Sequence, residues 1–431
     1  MQYIKRIASK IIYQKKGLHT LIPSIFQNNA NPIKITKGND CILLTDDHKE
    51  IIDFTSSSMV VNLGHNNKYI FDGFQEHLNT GIGYVSSEMI TEHQELLSER
   101  LINITKNTGG KVFYTNTGAD ANKNAIFLAN EYQYNNGFKN KSRSLSFKNS
   151  FHEGSDITVS FSNAEPENRY DSLPIESIME NPCLYDNGFN SLKQIRELFR
   201  ENDDIASIII EGSSSIGGCI LYPSNYLNTL QILCKQNNVL IICDEIVSGW
   251  GRTGHIFAYM KNNIKPDIIT SSNGLTNGYS QLGTVIINKN IADMYNDRPF
   301  LNGLIYSGHP LYCSIANRCL DLYLEDNEEI IKYAKLKGTY LNKLGDEIKN
   351  YNDIVSDYRN NGLLGCIELN IKNKEILSKI NNELLEKNIF CFMRENYIFT
   401  APPLTISLNL MDISMAKIND VMQNNYMHFR Y

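Results

Sequence analysis

The 431-residue sequence contains no run approaching the roughly 18 consecutive apolar residues read as a membrane-spanning helix. It also lacks any Cys-x-x-Cys pair. Its nine cysteines (Cys41, Cys183, Cys219, Cys234, Cys243, Cys313, Cys319, Cys366, Cys391) are odd in number, scattered and mostly set in apolar strings. They read as core thiols of a reducing compartment rather than bridges or metal ligands, and no metal site is expected. An excess of positive charge is missing too, with 41 Lys and Arg against 47 Asp and Glu for a formal net charge of −6. That balance argues against nucleic acid or an anionic membrane surface as a partner, because both select concentrated positive fields. A soluble protein with a small-molecule partner is the expectation.

No acidic residue precedes Asp40, while Lys5, Arg6, Lys10, Lys15 and Lys16 do, with Ile4, Ile7, Ile11 and Ile12 at helical spacing. Such a segment suits a transit peptide or an ordinary basic helix ended by Gly17. Arginine is sparse and no cleavage signal stands out, so the ordinary helix and a cytoplasmic location are preferred over organellar import.

What the chain does have is alternation. Residues 31–54 read as a meander of short strands with turns at Gly38-Asn39 and Asp46-Asp47, and residues 93–104 have helical periodicity. A strand at 111–115 then runs through Asn116-Thr-Gly-Ala-Asp-Ala-Asn122 into a helix. Strand, small-residue turn and helix N-terminus make an anion site, since free N–H groups and the positive end of the helix dipole face one point. Further buried strands are expected at 144–147, 205–210, 239–243 and 267–270, a helix at 226–236, and a long loop over 162–190. Alternating strands and helices predict an α/β fold with a mostly parallel sheet. The strand at 239–243 closes on Asp244 and Glu245, and α/β sheets keep ligands at the C-terminal ends of their strands.

Together, Thr115-Asn-Thr-Gly-Ala-Asp-Ala-Asn122, Asp244-Glu245, Gly249-Trp-Gly-Arg-Thr-Gly254, Pro266-Asp267 and Tyr306-Ser-Gly308 resemble the class III aminotransferases, which use pyridoxal phosphate on the fold type I scaffold. The resemblance runs from about Pro32 to the C-terminus, and its look is nearest to the branch that takes ω-amino donors such as taurine with pyruvate. It implies a large domain with a seven-stranded sheet and a smaller α+β domain built from both termini. The boundaries would be 1–60 for the N-terminal part of the small domain, 61–310 for the cofactor domain and 311–431 for the C-terminal part. A homodimer is implied as well.

The same resemblance assigns residues. Thr117, Gly118 and Ala119 would hold the cofactor phosphate, Phe151 would stack on the pyridine ring beside His152, and Ile246 would pack on the other face. Asp244 would keep the ring nitrogen protonated, as a buried carboxylate favours the cation, with Glu211 behind it. Arg394 would take a substrate carboxylate with its planar fork. His65, in Asn62-Leu-Gly-His65, is read as structural.

Several positions depart from the family pattern. Asn273 stands where the resemblance places the lysine that forms the Schiff base, and an amide can neither form an imine nor carry the proton. Lys261, Lys265 and Lys289 are nearest in sequence, and none is in register. Gly212 and Gln281 replace prolines, Glu153 replaces glycine, and Ile305 replaces a threonine whose bond to the neighbouring subunit's phosphate would be worth roughly 1.5–3 kcal/mol. Loss of the base alone removes roughly 10²–10⁴ in rate. Three explanations remain: a deliberate lysine replacement that traps an adduct, a homologue turned binding or scaffolding protein, or another group performing a different pyridoxal reaction. Several departures together favour natural divergence. Amine and 2-oxo acid are the expected substrates if the chain is active.

Overall fold

The computed structural model describes residues 33–86, 88–152, 176–182 and 184–425. The expected basic N-terminal helix, Glu153 and the beginning of the expected 162–190 loop lie outside them.

The chain enters as an antiparallel meander of β1 (Ile35–Asn39), β2 (Ile42–Thr45) and β3 (Glu50–Asp53). Gly38 and Asn39 pair with Leu43 and Ile42, so the first turn falls at Asp40-Cys41, just beyond the expected Gly38-Asn39. After β3 come α1 (Lys68–Asn79) and α2 (Glu92–Thr105), the first capped by the Asn67 side chain accepting from the Ile70 N–H.

The central sheet is built from β4 (Lys111–Thr115), β5 (Arg143–Phe147), β6 (Glu176–Met179), β7 (Ile205–Glu211), β8 (Leu240–Asp244), β9 (Ile268–Ser271) and β10 (Gly283–Ile287). Their order is β4-β10-β9-β8-β7-β5-β6, parallel throughout except that β10 runs against both neighbours. Every residue of β7, β8, β9 and β10 is buried. That burial on both faces explains why these strands read as unbroken apolar runs rather than alternating ones. Helices α3 (Gly118–Asn135), α4 (Phe189–Glu201) and α5 (Tyr226–Gln236) belong to this part. Strand β6 corrects the expectation of one long loop. It pairs with β5 at the edge of the sheet through its backbone, which a polar, aperiodic sequence does not advertise.

Beyond the short α6 (Lys289–Asp293), α7 (Pro310–Tyr351) is broken after Leu324, where Asp326, Asn327 and Glu328 take φ of 45°, 58° and 64°. A second antiparallel sheet then forms from β11 (Val355–Asn361), β12 (Leu364–Leu369), β14 (Met393–Arg394) and β15 (Tyr397–Thr400) in the order β11-β12-β15-β14. Strand β13 (Ile389–Phe390) leaves it to pair in parallel with β3 through Ile389 and Ile52. The two ends of the described chain thus share one sheet, flanked by α8 (Lys374–Glu386) and α9 (Leu408–Asn425). For function the decisive outcome is local: the C-terminal ends of β7, β8 and β9 deliver Glu211, Asp244 and Thr270 side by side.

Candidate active site

Asp244 ends β8 almost wholly buried. Its Oδ2 accepts from Asn122 Nδ2 at 2.8 Å and lies 2.7 Å from His152 Nδ1, while its Oδ1 accepts from the Ile246 N–H at 3.0 Å. A carboxylate only accepts, so the His152 tautomer that fits carries its proton on Nδ1. Asn122 is fixed in turn: its Oδ1 accepts from Thr270 Oγ1 at 2.6 Å, and its amide also donates to His152 O at 3.2 Å. Side chains from α3 and the segment after β5 therefore hold the β8 carboxylate, with Thr270 of β9 fixing Asn122 from behind. Sequence reading gave Asn122 and Thr270 no role. The available signal was a fully buried-type position, flanked in α3 by Ala121 and Ala125, occupied by an amide.

Thr117 caps α3, its Oγ1 accepting from the Asp120 N–H at 3.1 Å and donating to Asp120 Oδ2 at 2.8 Å. Its hydroxyl is thus engaged, which leaves the first-turn amides of Gly118 and Ala119 as the free donors of the helix end. Gly283 allows the approach that builds this corner: a Cβ there would lie 2.3 Å from Thr117 O.

Phe151, Ile246, Ile216 and Met59 belong to one buried apolar cluster, which also contains Phe392 and Phe399 from the C-terminal part. Over Phe151 sits Arg394, its guanidinium carbon 5.5 Å from the ring centroid. The expected stacking ring and the expected carboxylate-binding arginine, 243 positions apart by subtraction of their numbers, are brought into contact. Behind them, Glu211 is buried, accepts from the Ser215 N–H at 3.1 Å and the Ser215 hydroxyl, and receives the Phe151 N–H at 3.4 Å. Burial pushes its carboxyl up to about 7. Ser215 is another residue that sequence reading passed over.

Asn273 opens a single 3₁₀ turn immediately after β9, with φ of 43°. Its Nδ2 donates to Met59 O at 3.4 Å. Met59 is carried there by an unusual turn in which Ser56, Ser57, Ser58 and Met59 all take left-handed φ between 48° and 68°. Each such residue costs about 1–2 kcal/mol. Asp53 offsets part of that by accepting from the Thr55 and Ser57 amides at 3.2 and 2.9 Å and from Ser57 Oγ at 2.7 Å. His65 Nε2 lies 3.3 Å from the same carboxylate.

The three lysines nearest in sequence do not fill the gap. Lys261 Nζ donates to Asn361 Oδ1 at 3.2 Å and Lys289 pairs with Asp293 at the surface. Lys265 and Lys289 sit at the opposite edge of the sheet, before β9 and after the reversed β10. Ile305 is 73% exposed, its backbone oxygen accepting from Asn116 Nδ2 at 3.1 Å.

The turn Gly249–Gly254 has the Gly-x-Gly-x-x-Gly spacing of dinucleotide sites, but it leads through bends into a 3₁₀ segment, not into the N-terminus of an α-helix. Its Arg252 is a buried strut that donates to Asn62 Oδ1 at 2.6 Å, Ser56 Oγ at 2.9 Å and Leu363 O at 3.2 Å. Gly212 also gains a physical reason, because a Cβ there would fall 1.9 Å from Glu245 Oε1.

Residues 25–422 match the family model for aminotransferase class III. The chain belongs to that family. Among curated members, it is 29% identical over 402 residues to succinylornithine transaminase of Photorhabdus laumondii, covering 93% of this chain and 95% of the relative. It is 28% identical to adenosylmethionine-8-amino-7-oxononanoate aminotransferase of Helicobacter pylori over 405 residues, covering 90% and 92%. Solved structures share the fold: an amine transaminase from an uncultivated Pseudomonas species has a TM-score of 0.87 at 24% identity, over 96% of this chain and 99% of that one. Taurine:2-oxoglutarate aminotransferase of Bifidobacterium kashiwanohense, solved with PLP and glutamate, reaches 0.84 at 24% identity, over 99% and 98%.

For this class III aminotransferase the test of a pyridoxal phosphate cradle is the donor set. A buried carboxylate held by three donors, an apolar cluster uniting Phe151 and Ile246, a capped helix end and an arginine over the ring all fit the cofactor. A covalent anchor at position 273 does not.

Proposed function

We propose that this class III aminotransferase homologue binds pyridoxal phosphate non-covalently and weakly, and that ordinary transamination is impaired. The observation that carries the reading is the pairing of a complete Asp244–His152–Asn122 cluster with an asparagine at position 273. When bound, the cofactor supplies an electron sink for bonds to an amine carbon. Asp244 holds the proton on the ring nitrogen, and Phe151 and Ile246 enclose the ring. Gly118 and Ala119 donate to the phosphate, with Thr117 shaping the turn. Arg394 takes the carboxylate of an amino or 2-oxo acid. Asn273 offers an amide where a proton carrier is needed, and its side chain neither accepts nor releases a proton near neutral pH.

A cluster of exposed apolar side chains supports a homodimer. Tyr84, Met89, Ile90, Leu301, Ile305 and Tyr306 are all exposed, and the rings of Tyr84 and Tyr306 meet at 5.5 Å between centroids. Ile305 would then meet the partner's cofactor edge without a hydrogen bond to offer. Among the described residues no helix is long and apolar enough to cross a membrane, and the eight described cysteines are unbridged, which supports a reducing, cytoplasmic setting.

The retained cradle favours a ligand-binding role over a bare scaffold. Borohydride treatment in the presence of pyridoxal phosphate, followed by peptide mapping, tests the whole reading. The wild type should yield no specific adduct, and Asn273→Lys should yield one at residue 273. A stoichiometric adduct on a wild-type lysine in the pocket would overturn it. Failure of both proteins to retain the cofactor in equilibrium dialysis would leave the scaffold.

A further inference from the structure

The loop that follows β7 lies against the C-terminal sheet, and each side of that contact carries a thiol. Cys219 is in the loop, 2% exposed and with φ of 49°, while Cys366 is fully buried in β12. Both belong to the apolar cluster that contains Phe151, Ile216 and Ile246. Both are free thiols in this structure, and the Arg359 side chain that borders Cys366 on the ladder reaches the backbone beside Cys219.

The backbone around them is pinned from both sides. Cys366 stands opposite Arg359 across the β11–β12 ladder, and Arg359 Nε donates to Gly218 O at 2.6 Å, one residue before Cys219. The Arg359 guanidinium is itself anchored by Asp357 at 3.0 Å and Glu368 at 2.7 Å. Gly218 has φ of 103°, and a Cβ there would come 2.9 Å from Arg359 Nη2. At Gly217 a Cβ would fall 1.6 Å from Asn149 O. Gly218 thus lets the loop press onto Arg359 and Tyr397 of the C-terminal sheet, Gly217 seats its other side on Asn149, and the arginine clamp keeps it there.

We propose that Cys219 and Cys366 form a reversible disulfide under a peroxide-class oxidant, stapling the β7 loop to the C-terminal sheet. One thiol, ionised as the loop opens, attacks a peroxide oxygen to give a sulfenic acid and one water. The second thiol then attacks that sulfur, the S–S bond forms, and the sulfenic oxygen leaves as a second water. Two thiols and one hydrogen peroxide thus give one disulfide and two waters. Burial pushes the Cys366 thiol far up, so attack waits on opening and the oxidation is slow. The staple bears on the site because the loop carries Ser215 and Ile216, whereas β12 is joined through β15 to β14 with Arg394. Oxidation therefore ties the loop that carries Ser215 and Ile216 to the sheet that carries Arg394.

The test uses the full chain, freed of reductant, exposed to hydrogen peroxide, alkylated and digested with trypsin without reduction. The expected product joins peptide 201–235 to peptide 360–372, at a mass two hydrogens below their sum, and dithiothreitol dissolves it. Peptide 201–235 also holds Cys234, so the Cys219→Ser and Cys234→Ser variants are compared, each after circular dichroism confirms folding. Loss of the link in Cys219→Ser and its persistence in Cys234→Ser supports the proposal. If both cysteines are recovered alkylated or over-oxidised without a link, or if the link survives Cys219→Ser, the proposal is overturned. Should Cys219→Ser fail to fold, fragmentation of the wild-type linked peptides assigns the bridging cysteine directly.

Discussion

Arg394 lies over Phe151, its guanidinium carbon 5.5 Å from the ring centroid, and no carboxylate among the described residues forms an ion pair with it. The contrast with Arg359, which is held by two carboxylates, is informative. A guanidinium resting on an aromatic face keeps its N–H edge available for a ligand. Arg394→Ala should weaken binding of a 2-oxo acid or amino acid by about 10- to 150-fold, the equivalent of a hydrogen bond to a charged group worth about 1.5–3 kcal/mol. Calorimetric titration of the cofactor-loaded protein with 2-oxoglutarate and with an uncharged amine checks this. The amine should bind the variant and the parent alike.

The pH dependence of stability follows from buried acids. Burial raises the carboxyls of Glu211 and Glu245 from 4.5 to about 7. An acid whose folded value is raised holds more protons folded than unfolded across that interval, so stability is fully present below pH 4.5 and is lost as pH climbs to about 7. Glu211→Gln should remove its own contribution and lessen the fall of urea stability over this window, leaving those of Glu245 and of Asp267, which burial also raises. Glu211 suits the test because its Oε2 receives only the long bond from the Phe151 amide. An unchanged slope in urea melts would mean that Glu211 is ionised in the folded protein throughout.

Much of this site was legible because its residues sit at strand ends, where period and composition change together. Asp244 closes an apolar run, Thr117 stands between strand and helix, and both are found where those patterns place them. What the sequence could not convey were partners far apart along the chain. Asn122 meets Asp244 and Thr270 only after folding, and Arg394 meets Phe151 only once β14 packs against the large sheet's loops. The left-handed turn at Ser56–Met59 was equally hidden, since nothing in Ser-Ser-Ser-Met suggests four consecutive positive φ values. Strand β6 was missed for a different reason, its identity resting on backbone pairing at a sheet edge.

Gly212 offers a test of packing beneath the site. Its ideal Cβ lies 1.9 Å from Glu245 Oε1, and that carboxylate is already committed to Ser248 Oγ at 2.6 Å and to the Ala258 and Tyr259 amides at 3.0 and 2.8 Å. A methyl at 212 must displace a group whose partners cannot follow. Gly212→Ala should therefore destabilise the protein by about 1–3 kcal/mol, the range for overpacking, read as a lower urea midpoint. Recovery in the Gly212→Ala/Glu245→Ala double variant relative to Glu245→Ala alone would show that the contact, and not backbone freedom, sets the cost.

The last prediction concerns the carboxylate itself. Asp244 receives donors on both oxygens, from Asn122 and His152 on Oδ2 and from the Ile246 amide on Oδ1. Asp244→Asn keeps the shape, yet the new NH₂ faces either the Ile246 amide, losing one hydrogen bond, or both Asn122 and His152, losing two. Part of that loss can be recovered if His152 moves its proton to Nε2, so the penalty should stay near 1–3 kcal/mol. The charge cannot be recovered. Without it the site no longer favours a protonated ring nitrogen, and affinity for pyridoxal phosphate should fall about 10- to 150-fold. Equilibrium dialysis against the cofactor and against inorganic phosphate separates the two ends of the site: the variant should lose affinity for the ring compound while phosphate retention at the Gly118 and Ala119 amides is unchanged. Equal loss of both ligands would mean that Asp244 supports the fold of the whole pocket and does not act on the ring.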